Sequence, residues 1–454
     1  MVDIAGMRIY VEHLGCAKNQ VDAEVMVQQL VEAGCIVAQS ADDADVILVN
    51  TCGFIESARE ESVNTFFALR DQYPEAKVVM TGCLSQRYGA DLERELVEAD
   101  GIFGNRDLRR ITTLVRRIYA GERAIDLPAY PLITEESDLR GTLFNYPGSA
   151  YLKISEGCNH RCRYCAIPLI RGSLRSRPLD AIITEAKRLI DTGIIELNLI
   201  AQDLAAYGTD TDRDHPWFLE LLASLCALEG DFRIRMLYIH PDAFPAELPE
   251  FVRTHPKVIP YFDIPFQHAH PDVLRPMGRL GDRERYLGLI RSIRSALPDA
   301  TLRSTFMIGF TGESPETIRE LKRFVQEAQL DWVGSFTYSR EEGTAAFADR
   351  SDAEHAAMAK RALRWQKELE ALQEPITRSR LERFVGTVQD VLIEELVEGE
   401  DLAIGRIIHQ APEVDGLTVV MGRDLKPGTL VHCGIRRVNG IDLEAVPAER
   451  EAVS

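Results

Sequence analysis

Three cysteines crowd onto one short stretch, Glu156-Gly157-Cys158-Asn159-His160-Arg161-Cys162-Arg163-Tyr164-Cys165, with the spacing Cys-x3-Cys-x2-Cys. Thiolates are the usual ligands of iron–sulfur clusters, and a cubane cluster ordinarily takes four of them. Three on one tight loop hold three irons and leave the last open to a chelating small molecule. A zinc loop is the competing reading; it asks for a fourth protein ligand or a water.

Cys16, Cys52 and Cys83 are spread at intervals of 36 and 31 residues. Each stands just past a short apolar run, at residues 7–11, 44–50 and 77–80. Helical patterns over 20–33, 57–72 and 87–98 follow these runs. Short apolar runs alternating with helices predict a parallel α/β sheet. The carboxyl ends of its strands share one edge, where sites form, so distant cysteines become neighbours. Three gathered thiolates suit a second iron–sulfur site, with zinc again the competitor. Cys35, Cys226 and Cys433 stand alone and read as inert, Cys226 as a buried thiol in the apolar helical stretch 221–226.

The chain has 454 residues, about three times a usual ~150-residue domain, so two or three domains are expected. Its 45% apolar and 27% charged residues exclude a disordered, collagen-like or disulfide-scaffold chain. No run approaches about 18 uncharged apolar residues, so no membrane span is expected. Residues 1–6 show neither a basic nor an apolar leader segment, and the sequence reads as cytoplasmic. In that reducing compartment the nine cysteines are not expected to pair. A net charge of −19 disfavours nucleic acid as the primary partner and favours basic ones.

The predicted fold is α/β in three parts. Residues 7–120 form the parallel α/β domain and 121–143, punctuated by glycine and proline, a linker. Within 144–375, strands are expected at 151–155, 194–200, 232–237, 258–262, 301–308 and 332–336, with helices at 180–191, 216–228, 283–296 and 314–329. Six such units suit a partial (β/α)6 barrel, whose chemistry sits on loops after the strands. A long helix over 353–373 ends at Glu374-Pro375. Glycine-separated β runs over 376–448 predict a small all-β barrel. Residues 377–448 hold 8 basic and 12 acidic side chains, which is unhelpful for gripping a phosphate backbone.

The three-cysteine loop after the first barrel strand resembles the radical S-adenosylmethionine (SAM) superfamily. The resemblance implies that SAM chelates the open iron and is cleaved by one electron to methionine and a 5′-deoxyadenosyl radical. That radical can take a hydrogen atom from a carbon no base can deprotonate. The segments 161–168 and Arg171-Gly172-Ser173-Leu174-Arg175-Ser176-Arg177-Pro178 are similar to the methylthiotransferase branch. That branch implies a radical barrel, a C-terminal TRAM barrel, two [4Fe–4S] clusters, SAM and an electron donor. Cys158, Cys162 and Cys165 would hold the radical cluster; Cys16, Cys52 and Cys83 would hold the auxiliary one.

The run from His13 to Glu24, with Gly15-Cys16-Ala17-Lys18-Asn19, resembles the branch acting on small-subunit ribosomal protein twelve. The transfer-RNA branch typically shows Gln-Met-Asn after its first cysteine. Gln202-Asp203 and Asp263-Ile264-Pro265-Phe266-Gln267-His268 also resemble the protein-modifying branch. The implied activity is methylthiolation of an aspartate β-carbon in that basic ribosomal protein, free or on the small subunit. It would use two SAM-dependent steps, methyl transfer to sulfur and then radical sulfur insertion. Tyr164, Gln202, Gly309 and Glu313 are the expected SAM contacts. Thr311 and Arg340 stand where the family commonly has proline. His240, Gln267 and His268 are read as facing substrate or SAM. The basic run Arg161, Arg163, Arg171, Arg175 and Arg177 would suit a nucleic acid or the SAM carboxylate, an ion-paired loop being the alternative. The competing functions are a transfer-RNA adenosine methylthiotransferase of the same fold, a non-catalytic iron–sulfur carrier and a zinc-binding interaction module.

Overall fold

The computed structural model describes residues 2–131 and 140–448. Its first part is a parallel sheet of six strands, β1 (Arg8–His13), β2 (Ile36–Val37), β3 (Val46–Thr51), β4 (Lys77–Gly82), β5 (Gly101–Phe103) and β6 (Ala124–Asp126), in the order β2-β1-β3-β4-β5-β6. The whole of β3 is buried, as its unbroken apolar run requires of a central parallel strand. Helices α1 (Ala17–Glu32), α2 (Glu56–Gln72), α3 (Cys83–Glu95) and α4 (Ile111–Tyr119) cover the sheet.

Two helices begin earlier than the sequence pattern predicts. Helix α1 starts at Ala17, and its polar residues Lys18, Asn19, Gln20, Asp22 and Glu24 are buried. A polar helix start mimics a loop in sequence; here that face packs on another domain. Helix α3 likewise starts at Cys83, with its first turn buried. The predicted linker is corrected too. Residues 124–126 are the sixth strand of the sheet, and Arg140 is buried. Its portion at 132–139 lies outside the described residues.

The central part has six parallel strands, β7 (Ser149–Lys153), β10 (Glu196–Ile200), β11 (Arg233–Met236), β12 (Val258–Asp263), β13 (Thr301–Ile308) and β14 (Trp332–Thr337), in sequence order across the sheet. A two-stranded ribbon, β8 (Ser155–Glu156) with β9 (Arg175–Ser176), follows β7. Outside the sheet lie α5 (Ile167–Arg171), α6 (Leu179–Asp191), α7 (Trp217–Cys226), α8 (Leu248–Thr254), α9 (Pro271–Met277), α10 (Arg283–Ala296), α11 (Pro315–Ala328) and α12 (Asp352–Leu381). Cys226 ends α7 half-buried rather than buried.

Helix α12 does not stop at Pro375 but runs through it to Leu381. Proline removes one backbone donor from a helix. The neighbouring turns are tied to the sheet instead: Gln373 donates to the Leu330 carbonyl at 2.9 Å, Thr377 to that of Asp331 at 2.8 Å, and Arg380 pairs with the Asp331 carboxylate at 3.0 Å. Residues 376–381 thus belong to this helix, and the first strand of the last module begins at 388. It is a closed barrel of β15 (Val388–Leu396), β16 (Leu402–Ile407), β17 (Thr418–Met421), β18 (Leu430–Asn439) and β19 (Asp442–Pro447). Among the described residues no helix is long and apolar enough to cross a membrane.

Side chains alternate across the central strands. Ile234, Met236 and Phe262 join the helix-facing core. Tyr151, Leu237 and Tyr261 face the other way, into a core shared with the β-barrel and with Ala17 and Val21 of α1. The concave side of the sheet is therefore filled by both flanking domains. Two buried ion networks fix them. Glu196 accepts from Arg235 at 2.8 Å and from Arg406 of the barrel at 3.0 Å. Arg140 bridges Glu24 of α1 and Glu185 of α6.

Removing one partner of a buried ion network strands the others. Arg140→Met leaves Glu24 with no cation and Glu185 with Arg177 alone. The expected cost is about 3–5 kcal/mol, read as a lower urea midpoint for the full chain.

Candidate active site

Strands β1, β3 and β4 are sheet neighbours, so the loops leaving them lie side by side. Cys16 is the extended residue that precedes α1, Cys52 follows β3, and Cys83 opens α3. Gly82 makes the last turn possible. Its φ is +93°, and a Cβ there would sit 2.7 Å from the Thr51 carbonyl oxygen. Asn19 donates to that same carbonyl at 3.0 Å, and Asn50 donates back to the Asn19 carbonyl at 2.8 Å, tying the three loops together.

The other triad is held by the ribbon β8–β9. Gly157, at φ +77°, admits no side chain, because a Cβ would lie 2.1 Å from the Ser173 carbonyl oxygen. Beyond it the Cys158 amide donates to the Gly172 carbonyl at 3.2 Å, and the Arg163 amide to that of Met277 at 3.0 Å. His160 makes a 2.7 Å contact with Asp203 and stacks on His240 with ring centroids 4.1 Å apart.

The two loops face each other. Cys16, Cys52, Cys83, Cys158, Cys162 and Cys165 line a single cavity of about 310 Å³. Its wall also carries Tyr164, Gln202, Lys18, Tyr238, His240 and Arg279. Burial pushes the thiols of Cys83 and Cys165 up to about 12 and that of Cys158 up to about 11. Thiols so disfavoured as anions need a ligand that brings positive charge, as iron does. Among the described residues, no three His, Cys, Asp or Glu side chains close around a single metal ion. Two sets of three thiols on one cavity are the donor chemistry that iron–sulfur groups use. The buried Gln202 Oε1 and His240 Nε2 have no partner in the cavity wall, leaving polar atoms for a small molecule.

Buried charges lock the two halves of the cavity. Arg171, beside the radical loop, pairs with Asp22 of α1 at 2.8 Å and Glu156 at 2.8 Å. Lys153 pairs with the same two carboxylates at 2.6 and 3.0 Å. Burial alone would push Glu156 up, but Arg171 and Lys153 hold its carboxyl well below the ordinary range. Arg171 also donates to Cys83 Sγ at 3.3 Å, and Asn105 does so at 3.4 Å.

Tyr164 and Gln202, two of the expected SAM contacts, reach the cavity. Gly309 and Glu313 do not line it. The Glu313 carboxylate turns back to accept from the Gly309 and Phe310 amides at 2.7 and 3.2 Å, closing the turn after β13, and Gly309 packs against Ala362 of α12. His240 lines the wall, whereas Gln267 and His268 are buried away from it. Within the arginine run Arg163 pairs with Asp349 at 2.6 Å, Arg177 with Glu185 at 2.6 Å and Arg171 is buried, while Arg161 is exposed. Lys18, Tyr238 and Arg279 also line the cavity, with no sequence pattern that marks them. Lys18 stands two residues after Cys16 and Tyr238 just past β11; neither position alone reveals which way the side chain points.

Residues 8–104 match the family described as uncharacterized protein family UPF0004, 152–325 the radical SAM superfamily and 385–447 the TRAM domain. The chain is 40% identical over 465 residues to the ribosomal protein uS12 methylthiotransferase RimO of Treponema denticola, covering 95% of this chain and 99% of that one. It is 42% identical over 410 residues to the protein of the same name from Syntrophomonas wolfei, covering 90% and 92%. Its fold is like that of the radical SAM methyltransferase TsrM of Kitasatospora setae, solved with tryptophan and aza-SAM, with TM-score 0.54, 16% identity and 72% of each chain covered.

The burial of the thiols sets their reactivity. Among the six cavity thiols of iron-free protein at pH 8, exposed Cys16 is expected to react with iodoacetamide first and buried Cys83 last. Peptide mass spectrometry over a time course reads the order.

Proposed function

We infer the reaction from one premise: the chain belongs to the family of ribosomal protein uS12 methylthiotransferases. On that reading it is a radical SAM transferase that replaces a β-carbon hydrogen of an aspartate in uS12 with a methylthio group. The observation that carries it is the single cavity shared by both cysteine triads.

Cys158, Cys162 and Cys165 would hold one [4Fe–4S] cluster and leave a site for SAM; Cys16, Cys52 and Cys83 would hold the other. Bound there, clusters and SAM supply the electron, the carbon radical and the methyl and sulfur chemistry that no side chain offers. The chain's own residues enclose and orient. Tyr164, buried beside Cys165, offers a ring face, and its hydroxyl is tied to Arg279. Gln202 donates to Glu156 at 3.0 Å, which fixes the amide and leaves its Oε1 free for SAM. The ion cluster of Asp22, Arg171, Glu156 and Lys153 holds the triads at one separation.

The net charge of −19 complements a basic ribosomal protein. Arg171 and Arg177, two of the five arginines of the basic run, are buried, which leaves less cationic surface for RNA. A passive carrier would have no use for unpartnered polar atoms in a wall between two triads. The reaction needs a one-electron donor, takes place in the reducing cytoplasm, and acts on uS12 free or within the small subunit.

Anaerobic protein incubated with SAM, dithionite and either uS12 or transfer RNA is expected to add the mass of a methylthio group to uS12 alone. Modification of the transfer RNA, or of neither, overturns the reading. Cys162→Ala is expected to abolish the modification and to lower iron per chain by about half, measured by metal analysis.

A further inference from the structure

Lys18 is 9% exposed, yet no carboxylate lies within ion-pair distance of it among the described residues. Its ammonium donates to the Ala201 carbonyl at 3.1 Å and sits over the Tyr238 ring, 4.1 Å from the centroid. An ammonium has three protons to give, and these two contacts leave donor capacity facing the cavity that Lys18 lines. The charged groups around it are Cys16, Arg171, Glu156 and Asp263. Both carboxylates among them are committed elsewhere, Glu156 to Arg171 and Lys153, and Asp263 to Arg303 at 3.2 Å. Apart from the neighbouring Cys16 sulfur the ammonium has no anionic partner, and a buried cation with spare donors can take a ligand carboxylate.

The backbone reinforces the point. Tyr238, which carries the ring under the ammonium, has φ +70°, a left-handed conformation that strains a bulky residue. Ala201 and Tyr238 lie just past β10 and β11, at the carboxyl ends of barrel strands, while Lys18 comes from α1 of the other domain. Other buried cations in the wall are already engaged. Arg171 holds two carboxylates, and Arg279 donates to the Pro265 carbonyl at 2.6 Å and is tied to Tyr164.

We propose that Lys18 is a specificity-determining residue that binds the carboxylate of the target aspartate. The inference rests on the uS12 reading above and deepens it. An aspartate carboxylate is one bond from the β-carbon, so a cation between the two triads holds that carbon where both act. A target without the charge would leave the ammonium buried and unpaired, and the site would reject it.

The test uses the full chain, reconstituted anaerobically with clusters, and two forms of uS12: the natural protein and one with its modified aspartate changed to asparagine. The wild-type chain is expected to bind the aspartate form roughly 10- to 100-fold more tightly. In Lys18→Met that preference should fall to about twofold or less, and Lys18→Arg should restore part of it. The auxiliary cluster's electron paramagnetic resonance spectrum and the SAM dissociation constant report the rival anions. If Lys18→Met retains the aspartate preference, the proposal is overturned, whether the change moves the cluster signal, SAM affinity or neither. Failure of the wild-type chain to modify uS12 sinks the functional reading instead, and shows before any variant is made.

Discussion

The cluster of Arg171, Lys153, Asp22 and Glu156 is the constraint on which the site depends. Two cations and two carboxylates from both sides of a domain boundary are buried together at 2.6 to 3.0 Å. Such a group adds little net stability, because desolvation offsets much of the attraction. Its value is geometric. Any slip between α1 and the radical loop would leave a buried charge unpaired, so the two cysteine triads are held at one separation. Arg171 extends the constraint to sulfur, since the same guanidinium reaches Cys83.

Both triads lie beyond the carboxyl end of a parallel strand, the first directly after β1, β3 and β4 and the second after the short antiparallel ribbon that follows β7. In the first sheet β1, β3 and β4 are adjacent, which converts long sequence intervals into one cluster of loops. In the second, the β8–β9 ribbon presents three cysteines within one loop. The two parallel sheets are oriented so that their site-bearing ends open on one cavity. Parallel sheets place chemistry at those ends because loops and side chains there converge without a covering strand.

The C-terminal barrel shares this logic of occupation. It fills part of the concave face of the central sheet, with Arg406 paired to Glu196 and the Tyr261 hydroxyl donating to Asp415 at 2.6 Å. The chain carries a net charge of −19, and a charge of that sign draws basic partners.

Much of this was legible in the sequence. Cys-x3-Cys-x2-Cys is a local pattern, and three cysteines each following an apolar run encode a strand-end position through the two-residue period of a strand and the helical pattern after it. These features fix chemistry and fold class because they depend on residues near in sequence. The misplaced features share one cause. Helix α1 hid its start because its polar face is buried, and α12 passed through Pro375 because packing against the sheet outweighed the lost donor. Gly309 and Glu313 are expected at SAM, and in the fold the Glu313 carboxylate accepts from the Gly309 amide and closes its own turn. Lys18, Tyr238 and Arg279 carry no local signal of which way they point. By itself the sequence determined the cysteine pattern and the class of reaction it resembles. Only the tertiary structure decided that the two triads share one cavity and that a lysine without a carboxylate partner lines it, because that depends on groups meeting across a domain boundary.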